Sequence, residues 1–501
     1  MGHATKKAIF KDSSLYISSN YIAQFLGFVI SVATKRFLGP TMVGVWNVVQ
    51  VILGYCDYAT LGASKAAFRE IPYYRGRKEW DKAEQIKNEV FTFTVLMALL
   101  PAIGIAIYAF WTKEKHSNYL YIGLLYVAAI ILIQRVYDYY TTIMRANKEF
   151  YYIAQVTVLS AILNLIFVFI LVKPFKIYGL FVASYLSTAL GLLFVHVRTH
   201  YGFKLKLSSE GLQKIMGIGI PLLLVGLSQQ TIRSVDKIMI ATYLGVTALG
   251  NYSIALMFHQ YIIGIPNMLA IVLYPRLQEK YGESGSAAGI QGYLLYPVWV
   301  VGLITAFLIG LAILAGPILI HTLLPKFTAG LPAMKVLLLS TFFMAIGQQA
   351  NTFLITLDKQ WRMLPILMVG VFLIALFDFV FVRSGMGLVG VAWGVVLGSM
   401  IYNLMMLIYA KSHFSGSAEV IRFIGALFLM LGYFFVLTFL LSRVGNDFSF
   451  LGVLLRCGLY VLLTVPCAWY VNRRTGLLTV MGKVMTDQLN KMGKRPESDA
   501  L

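Results

Sequence analysis

The chain has 501 residues, 59% of them hydrophobic and 13% charged, with a mean hydropathy of +0.76 and a net charge of +21. Soluble domains carry about 25% charged residues, so this composition excludes a soluble enzyme or binding domain and leaves a polytopic integral membrane protein. The positive charge is read as membrane topology and contact with anionic lipid heads, and no nucleic-acid partner is expected.

From the N-terminus, apolar runs long enough to cross a hydrocarbon core of about 30 Å follow one another with few hydrophilic gaps. About fourteen are predicted as transmembrane helices. They lie near 13–38, 42–68, 90–111, 118–143, 151–172, 177–199, 215–243, 248–275, 291–323, 331–357, 362–382, 386–410, 419–442 and 448–471. The first run carries Asn20 and Gln24 and lacks a small-x-small cleavage site, so it is expected to be retained rather than removed as a signal. With the N-terminus inside, the runs place roughly three times as many Lys and Arg on cytoplasmic segments as outside. The richest are Arg75-Gly76-Arg77-Lys78, the stretch 198–214 and the tail from Asn472. Both termini are therefore expected in the cytoplasm of an inner-membrane protein. Cys56, Cys457 and Cys467 fall inside predicted helices and imply neither a disulfide nor a metal.

The chain also repeats itself. Leu38-Gly39-Pro40-Thr41-Met42-Val43-Gly44 aligns with Leu244-Gly245-Val246-Thr247-Ala248-Leu249-Gly250 at an offset of 206 residues. The same offset pairs Asn20 with Gly226, Gln24 with Gln230, Gly27 with Arg233 and Ser31 with Lys237. Spacings of four, three and four keep each set on one helical face. Further on, Asn147-Lys148-Glu149-Phe150 matches Asp358-Lys359-Gln360-Trp361, and Tyr178-Gly179-Leu180 matches Val389-Gly390-Val391, both at an offset of 211. The repeat predicts an all-α fold of two six-helix lobes related by a pseudo-two-fold axis along the membrane normal. The N-lobe is 1–200, a cytoplasmic linker 201–214 and the C-lobe 215–411. Helices thirteen and fourteen (412–471) lie outside the repeat. In the tail 472–501, Leu477, Met481, Val484, Met485 and Leu489 share one face, as an interfacial helix or a disordered segment.

A charged side chain facing lipid at mid-membrane costs roughly 3 kcal/mol on insertion scales, so intramembrane charges are expected to face an interior or to pair. The seventh helix holds Gln229, Gln230, Arg233, Asp236 and Lys237, one acid between two bases. Two readings stand: a structural ion pair, or a cationic patch for an anionic head group, since the second base leaves spare positive charge. The first helix adds Gln24, Lys35 and Arg36, the last directed to the cavity or to the interface. On the second helix Gln50, Gly54, Asp57 and Lys65 share a face. Asp57, near mid-span, is the first candidate for an ion-coupling carboxylate, followed by Asp236 and Asp138. Arg135 and Asp138, three apart, read as a self-balancing pair, and Asp378, His259 and Arg456 as isolated buried polar groups or anchors. The substrate-binding candidates are thus Lys35, Arg36, Lys65, Arg233, Lys237, Gln24 and Gln230. No phosphate loop, Asp-x-Asp pair or His/Cys metal spacing occurs, so no catalytic residues and no metal site are expected. Gly217-x-Gly219-x-Pro221, Gly264-x-Pro266 and Pro297 fit either bending or fixed kinks.

Arg36-Phe37-Leu38-Gly39-Pro40, followed by Gly44, Leu61-Gly62 and Arg69-Glu70, resembles the opening helix pair of bacterial polysaccharide-transporter flippases. Pro221, Asp236-Lys237, Leu244-Gly245, Gly250-x-Tyr252 and Pro275 resemble that family's seventh and eighth helices. The family, which includes the O-antigen flippases of lipopolysaccharide synthesis, belongs to the multidrug/oligosaccharidyl-lipid/polysaccharide exporter superfamily. The resemblance implies an undecaprenyl-diphosphate-linked oligosaccharide moved from inner to outer leaflet by alternating access, driven by H⁺ or Na⁺ and without a cofactor. It implies membrane lipids and polysaccharide polymerase or chain-length machinery as partners, and a monomer. A multidrug extruder or lipid II flippase of the same superfamily is the alternative, and a membrane polysaccharide polymerase is disfavoured by the lack of a large outer loop.

Overall fold

The computed structural model describes residues 3–444 and 449–476, and within them the chain is helical almost throughout. Its α-helices are α1 (His3–Cys56), α2 (Ala63–Gly76), α3 (Trp80–Trp111), α4 (Asn118–Ala146), α5 (Phe150–Phe167), α6 (Lys173–Thr199), α7 (Ser209–Ile232) and α8 (Val235–Tyr243). They continue with α9 (Val246–Ser284), α10 (Gly292–Leu323), α11 (Leu331–Thr356), α12 (Gln360–Arg383), α13 (Gly387–Lys411), α14 (Ser417–Ser442) and α15 (Phe450–Thr475). No strand forms among the described residues. Hydrocarbon offers no hydrogen-bond partners, so long apolar runs satisfy their own backbone by becoming helical. Ten helical stretches among the described residues are long and apolar enough to cross a membrane. Two exceed a single crossing: Ser18–Thr60 has 43 residues and turns at Gly39 (φ 75°), and Phe150–Thr199 has 50 and breaks at Lys176 (φ 53°). This is an all-α, multi-pass membrane protein. The tail face around 477–489 lies outside the described residues.

Two runs read as unbroken are interrupted. At Asp57 the helix tightens into a 3₁₀ turn, Asp57–Thr60, and Leu61 and Gly62 both adopt left-handed φ before α2 begins. The seventh run stops at Ile232, is capped by Arg233 and restarts at Val235. No Gly or Pro marks this break; the Ser234 hydroxyl donates back to the Gln230 carbonyl at 2.8 Å, a local bond that competes with the helical ladder. The linker is shorter than expected, because Ser208 caps α7 by accepting from the Gly211 amide at 2.9 Å. What precedes it is extended and fastened at alternate residues. Lys204 N donates to Asn88 Oδ1 (2.9 Å), Lys206 N to Thr92 Oγ1 (3.0 Å), and the Ser208 hydroxyl to the buried Glu89 carboxylate. Phe203 stacks on Phe91 with centroids 4.4 Å apart.

The chain forms two compact units. The first comprises Met1–Tyr261, Ile320–Leu337 and Gln360–Tyr402. It contains the internal repeat at its most literal. Gly39 and Gly245, 206 residues apart, both take positive φ (75° and 87°), a conformation that glycine adopts without steric cost. Thr41 Oγ1 and Thr247 Oγ1 lie 3.0 Å apart. Gly44 abuts the Val246 carbonyl and Gly250 abuts the Pro40 carbonyl, so closely that a Cβ at either glycine would collide with backbone. Each contact is the image of the other under the 206-residue shift, the reciprocity that a two-fold relation requires. Later in the repeat the register differs from the residue match. Lys148 and Asp358 both carry positive φ, and the closing bonds Glu149 N to Met144 O (2.9 Å) and Lys359 N to Leu354 O (3.0 Å) correspond at an offset of 210, not 211. Helix-end geometry fixes this register, which side-chain similarity left one residue out.

The second unit comprises Ile262–Leu319, Leu338–Lys359 and Asn403–Leu501. Here α14 and α15 are docked on α10 by aromatic side chains. Tyr460 is fully buried, stacks on Phe307 at 5.7 Å and donates to the Phe307 carbonyl at 3.2 Å. Gly310 leaves the space that its hydroxyl fills, beside Thr438. Trp299 meets Phe423 and Tyr470 edge-on.

Candidate functional site

The polar residues singled out from the repeat lie within the first unit. On the first leg of α1, Lys35 is 8% exposed, and its ammonium donates to Ser31 Oγ at 2.8 Å, its one hydrogen bond among the described residues. The i, i+4 spacing puts the hydroxyl under the ammonium. Gln24 is half-buried on the same helix, whereas Arg36, one residue round, is exposed. Gly27 faces the Tyr261 hydroxyl, and Phe28 meets the Tyr261 ring edge-on at 5.2 Å.

The second leg of α1 runs along α7. The Gln230 amide lies over Gly54, the Tyr55 hydroxyl pairs with Ser234 Oγ at 2.8 Å, and the Lys65 ammonium and Tyr58 ring lie over Gly226. Further along, Gly62 and Gly219 bring their backbones together with no room for a side chain on either. Small residues at these levels let the helices approach, as packing in a membrane favours. Lys65 and Gln230 are thereby brought to one seam, and Asp57 is not part of it. Its carboxylate is bonded to Arg135 of α4, which also holds Asp138 at 2.9 Å. The pair read from the sequence is therefore a triad, one guanidinium between two carboxylates.

At the break between α7 and α8 the charges are arranged differently from an ion pair. Arg233 is exposed. The Lys237 ammonium donates to the Arg233 carbonyl, which the break leaves without a helical partner. Asp236 is buried, and its Oδ1 accepts from the Lys237 amide at 2.8 Å. No salt bridge joins Asp236 to Arg233 or Lys237 among the described residues, although the Lys237 charge still acts on the carboxylate. The positive charges of both are felt at His259 on α9.

Sequence reasoning treated Asp378 as isolated. In the fold it is completely buried on α12, within electrostatic reach of Asp236, and Tyr252 feels the charge of both. Neither carboxylate oxygen of Asp378 has a hydrogen-bond partner among the described residues. Gly394 of α13 makes room for the Asp378 side chain. One signal was available: Asp378 is the only acid in the apolar run 362–382. Among the described residues no group of three or more His, Cys, Asp or Glu side chains gathers that could hold a metal ion.

Residues 9–280 match the family model described as polysaccharide biosynthesis protein. No curated protein sequence matches the chain. Among solved structures, the lipid II flippase MurJ in an inward closed conformation is similar at a TM-score of 0.70 and 14% identity, covering 90% of this chain and 98% of that one. An inward-facing multidrug resistance MATE family transporter of the MOP superfamily gives 0.67 at 15% identity, covering 81% and 99%. A MOP superfamily transporter from Pyrococcus furiosus, whose binding pocket is described as reversed in polarity, gives 0.60 at 16% identity, covering 82% and 96%. These likenesses establish the fold.

Proposed function

The chain belongs to the polysaccharide biosynthesis protein family, and from that premise we propose that it is a flippase for an undecaprenyl-diphosphate-linked oligosaccharide. It carries this lipid from the inner to the outer leaflet of the cytoplasmic membrane by ion-coupled alternating access. The observation that carries this reading is the set of cations without a carboxylate ion-pair partner among the described residues: buried Lys35, whose ammonium bonds Ser31, and Arg233 and Lys237, neither in a salt bridge with Asp236. A diphosphate brings about two negative charges, and its passage through hydrocarbon is prohibitive unless they are met. A multidrug extruder for lipophilic cations calls for the opposite, an acidic or apolar site.

Coupling is assigned by which carboxylates lack a base. Asp57 and Asp138 share Arg135, which offsets one of their two charges and pairs with both carboxylates. Asp378 is buried, with neither a salt bridge nor a hydrogen-bond partner for its carboxylate among the described residues and within electrostatic reach of Asp236, so a proton or sodium ion is what can offset it. Release of that ion in one state and capture in the other ties the gradient to the motion.

The test is lipid flipping in reconstituted vesicles under an imposed proton or sodium gradient. Arg233→Ala abolishes flipping with insertion unchanged, and Arg233→Lys retains part of it, since a point charge lacks the bidentate fork. Asp378→Asn still binds cargo and no longer responds to the gradient. Wild-type flipping by Arg233→Ala, or co-purification of lipophilic cations in place of lipid diphosphate in native mass spectrometry, overturns the reading.

A further inference from the structure

A crevice of about 640 Å³ opens beside the seam of α1 and α7–α8, walled by Ile52 and Tyr55 of α1, Pro101 and Ile105 of α3, and Lys237 and Ala241 of α8. None of the polar stripe Gln24, Ser31 and Lys35 lines it. Ile238, one of the residues that line it, is an exposed apolar side chain, which is how a lipid-facing surface reads. Its walls are apolar except for a few small polar groups, and Lys237 is the one charged residue among those that line it.

An apolar slot open to hydrocarbon, with a cation on its wall, is complementary to a chain that ends in an anion. The head group must carry more than one charge. Lys237 has two ammonium protons left after bonding the Arg233 carbonyl, and the exposed Arg233, four residues before it, has no salt bridge among the described residues. A phosphodiester would satisfy one of these cations, whereas a diphosphate satisfies both. Building on the flippase reading, we infer that this crevice holds the first isoprene units of the polyprenyl chain while its diphosphate rests on Lys237 and Arg233. The chain thus stays at the flank of the α1–α8 seam, in hydrocarbon, and only the charged part of the cargo enters the protein.

The probe is a benzophenone-bearing farnesyl diphosphate, applied to the full chain in nanodiscs, with adducts located by peptide mass spectrometry. Adducts are expected within 48–59 and 237–249, displaced by unlabelled undecaprenyl diphosphate and not by excess phosphatidylglycerol. Ala241→Trp, which fills the slot, and Lys237→Met, which keeps its shape and removes the charge, each lower labelling by about tenfold, as loss of a charge-assisted contact or of the space predicts. Labelling elsewhere, labelling insensitive to both variants, or equal displacement by phosphatidylglycerol overturns the assignment, the last making the crevice a phospholipid site. Binding of the undecaprenyl-diphosphate oligosaccharide is followed in parallel by native mass spectrometry. Bound cargo with an unlabelled crevice removes the crevice alone, whereas absence of bound cargo removes the flippase reading and the crevice with it.

Discussion

Arg135 holds two carboxylates from different helices, and this asymmetry makes its removal costlier than the removal of either partner. Asp138→Asn leaves the guanidinium bonded to Asp57, but Arg135→Met leaves Asp57 and Asp138 as neighbouring like charges. Because their side chains are 41% and 44% exposed, the expected loss is about 2–3 kcal/mol, below that of a fully buried pair. Melting in detergent should show Arg135→Met well below Asp138→Asn. Tyr201, on the linker, gives a pH signature. Burial first, and then its bond to the Glu149 carboxylate, raise its hydroxyl above the ordinary value of 10.0. The unfolded chain loses that proton near pH 10 and the folded protein does not, so this contribution to stability is present below pH 10 and declines as pH rises above it. The melting temperature should therefore fall less steeply above pH 10 in Tyr201→Phe than in wild type. Asp57 was legible as a polar residue on a helix face, but its partner was not, because 78 residues separate it from Arg135 and only packing of α1 on α4 joins them.

Among the elements, the linker shows how a segment that looks like a solvated basic run becomes part of a lobe. Its amides at 204 and 206 are satisfied by Asn88 and Thr92 of α3, so it is clamped by side-chain acceptors rather than by a sheet. Asn88→Ala combined with Thr92→Ala removes both acceptors, and trypsin should then cut after Lys204 and Lys206 several times faster than in wild type, with helical content unchanged. The sequence showed the charge of this segment but not its docking, because the acceptors lie more than a hundred residues upstream. The break at Arg233–Ser234 was equally hidden. It arises from a serine hydroxyl bonded to the turn before it and to Tyr55, and serine within a helix is ordinary unless such a partner is present.

For the whole molecule, the reciprocal contacts at Thr41 and Thr247 define a place where the two halves of the repeat touch about their shared axis. In the proposed alternating-access cycle that contact opens. Thr41→Cys with Thr247→Cys should form a disulfide in this conformation, since the two hydroxyl oxygens are 3.0 Å apart. Oxidation is expected to arrest flipping and reduction to restore it, while either single cysteine flips normally. Flipping that continues in the oxidised double variant would show that these ends stay together through the cycle.

Composition and the length of the apolar runs determined by themselves that this is an all-α membrane protein, because burying backbone in hydrocarbon permits little else. The 206-residue repeat and the paired glycines Gly39 and Gly245 were also legible, since left-handed turns demand that residue type. The tertiary structure alone decided which charges are neutralised. Asp57 finds Arg135, Asp236 turns from its flanking bases to a backbone amide, and Asp378 comes to lie near it. Spacing along a helix tells which residues share a face, but the partner across that face is chosen by how separate helices pack, and Coulomb energy falls off with that distance rather than with separation in sequence.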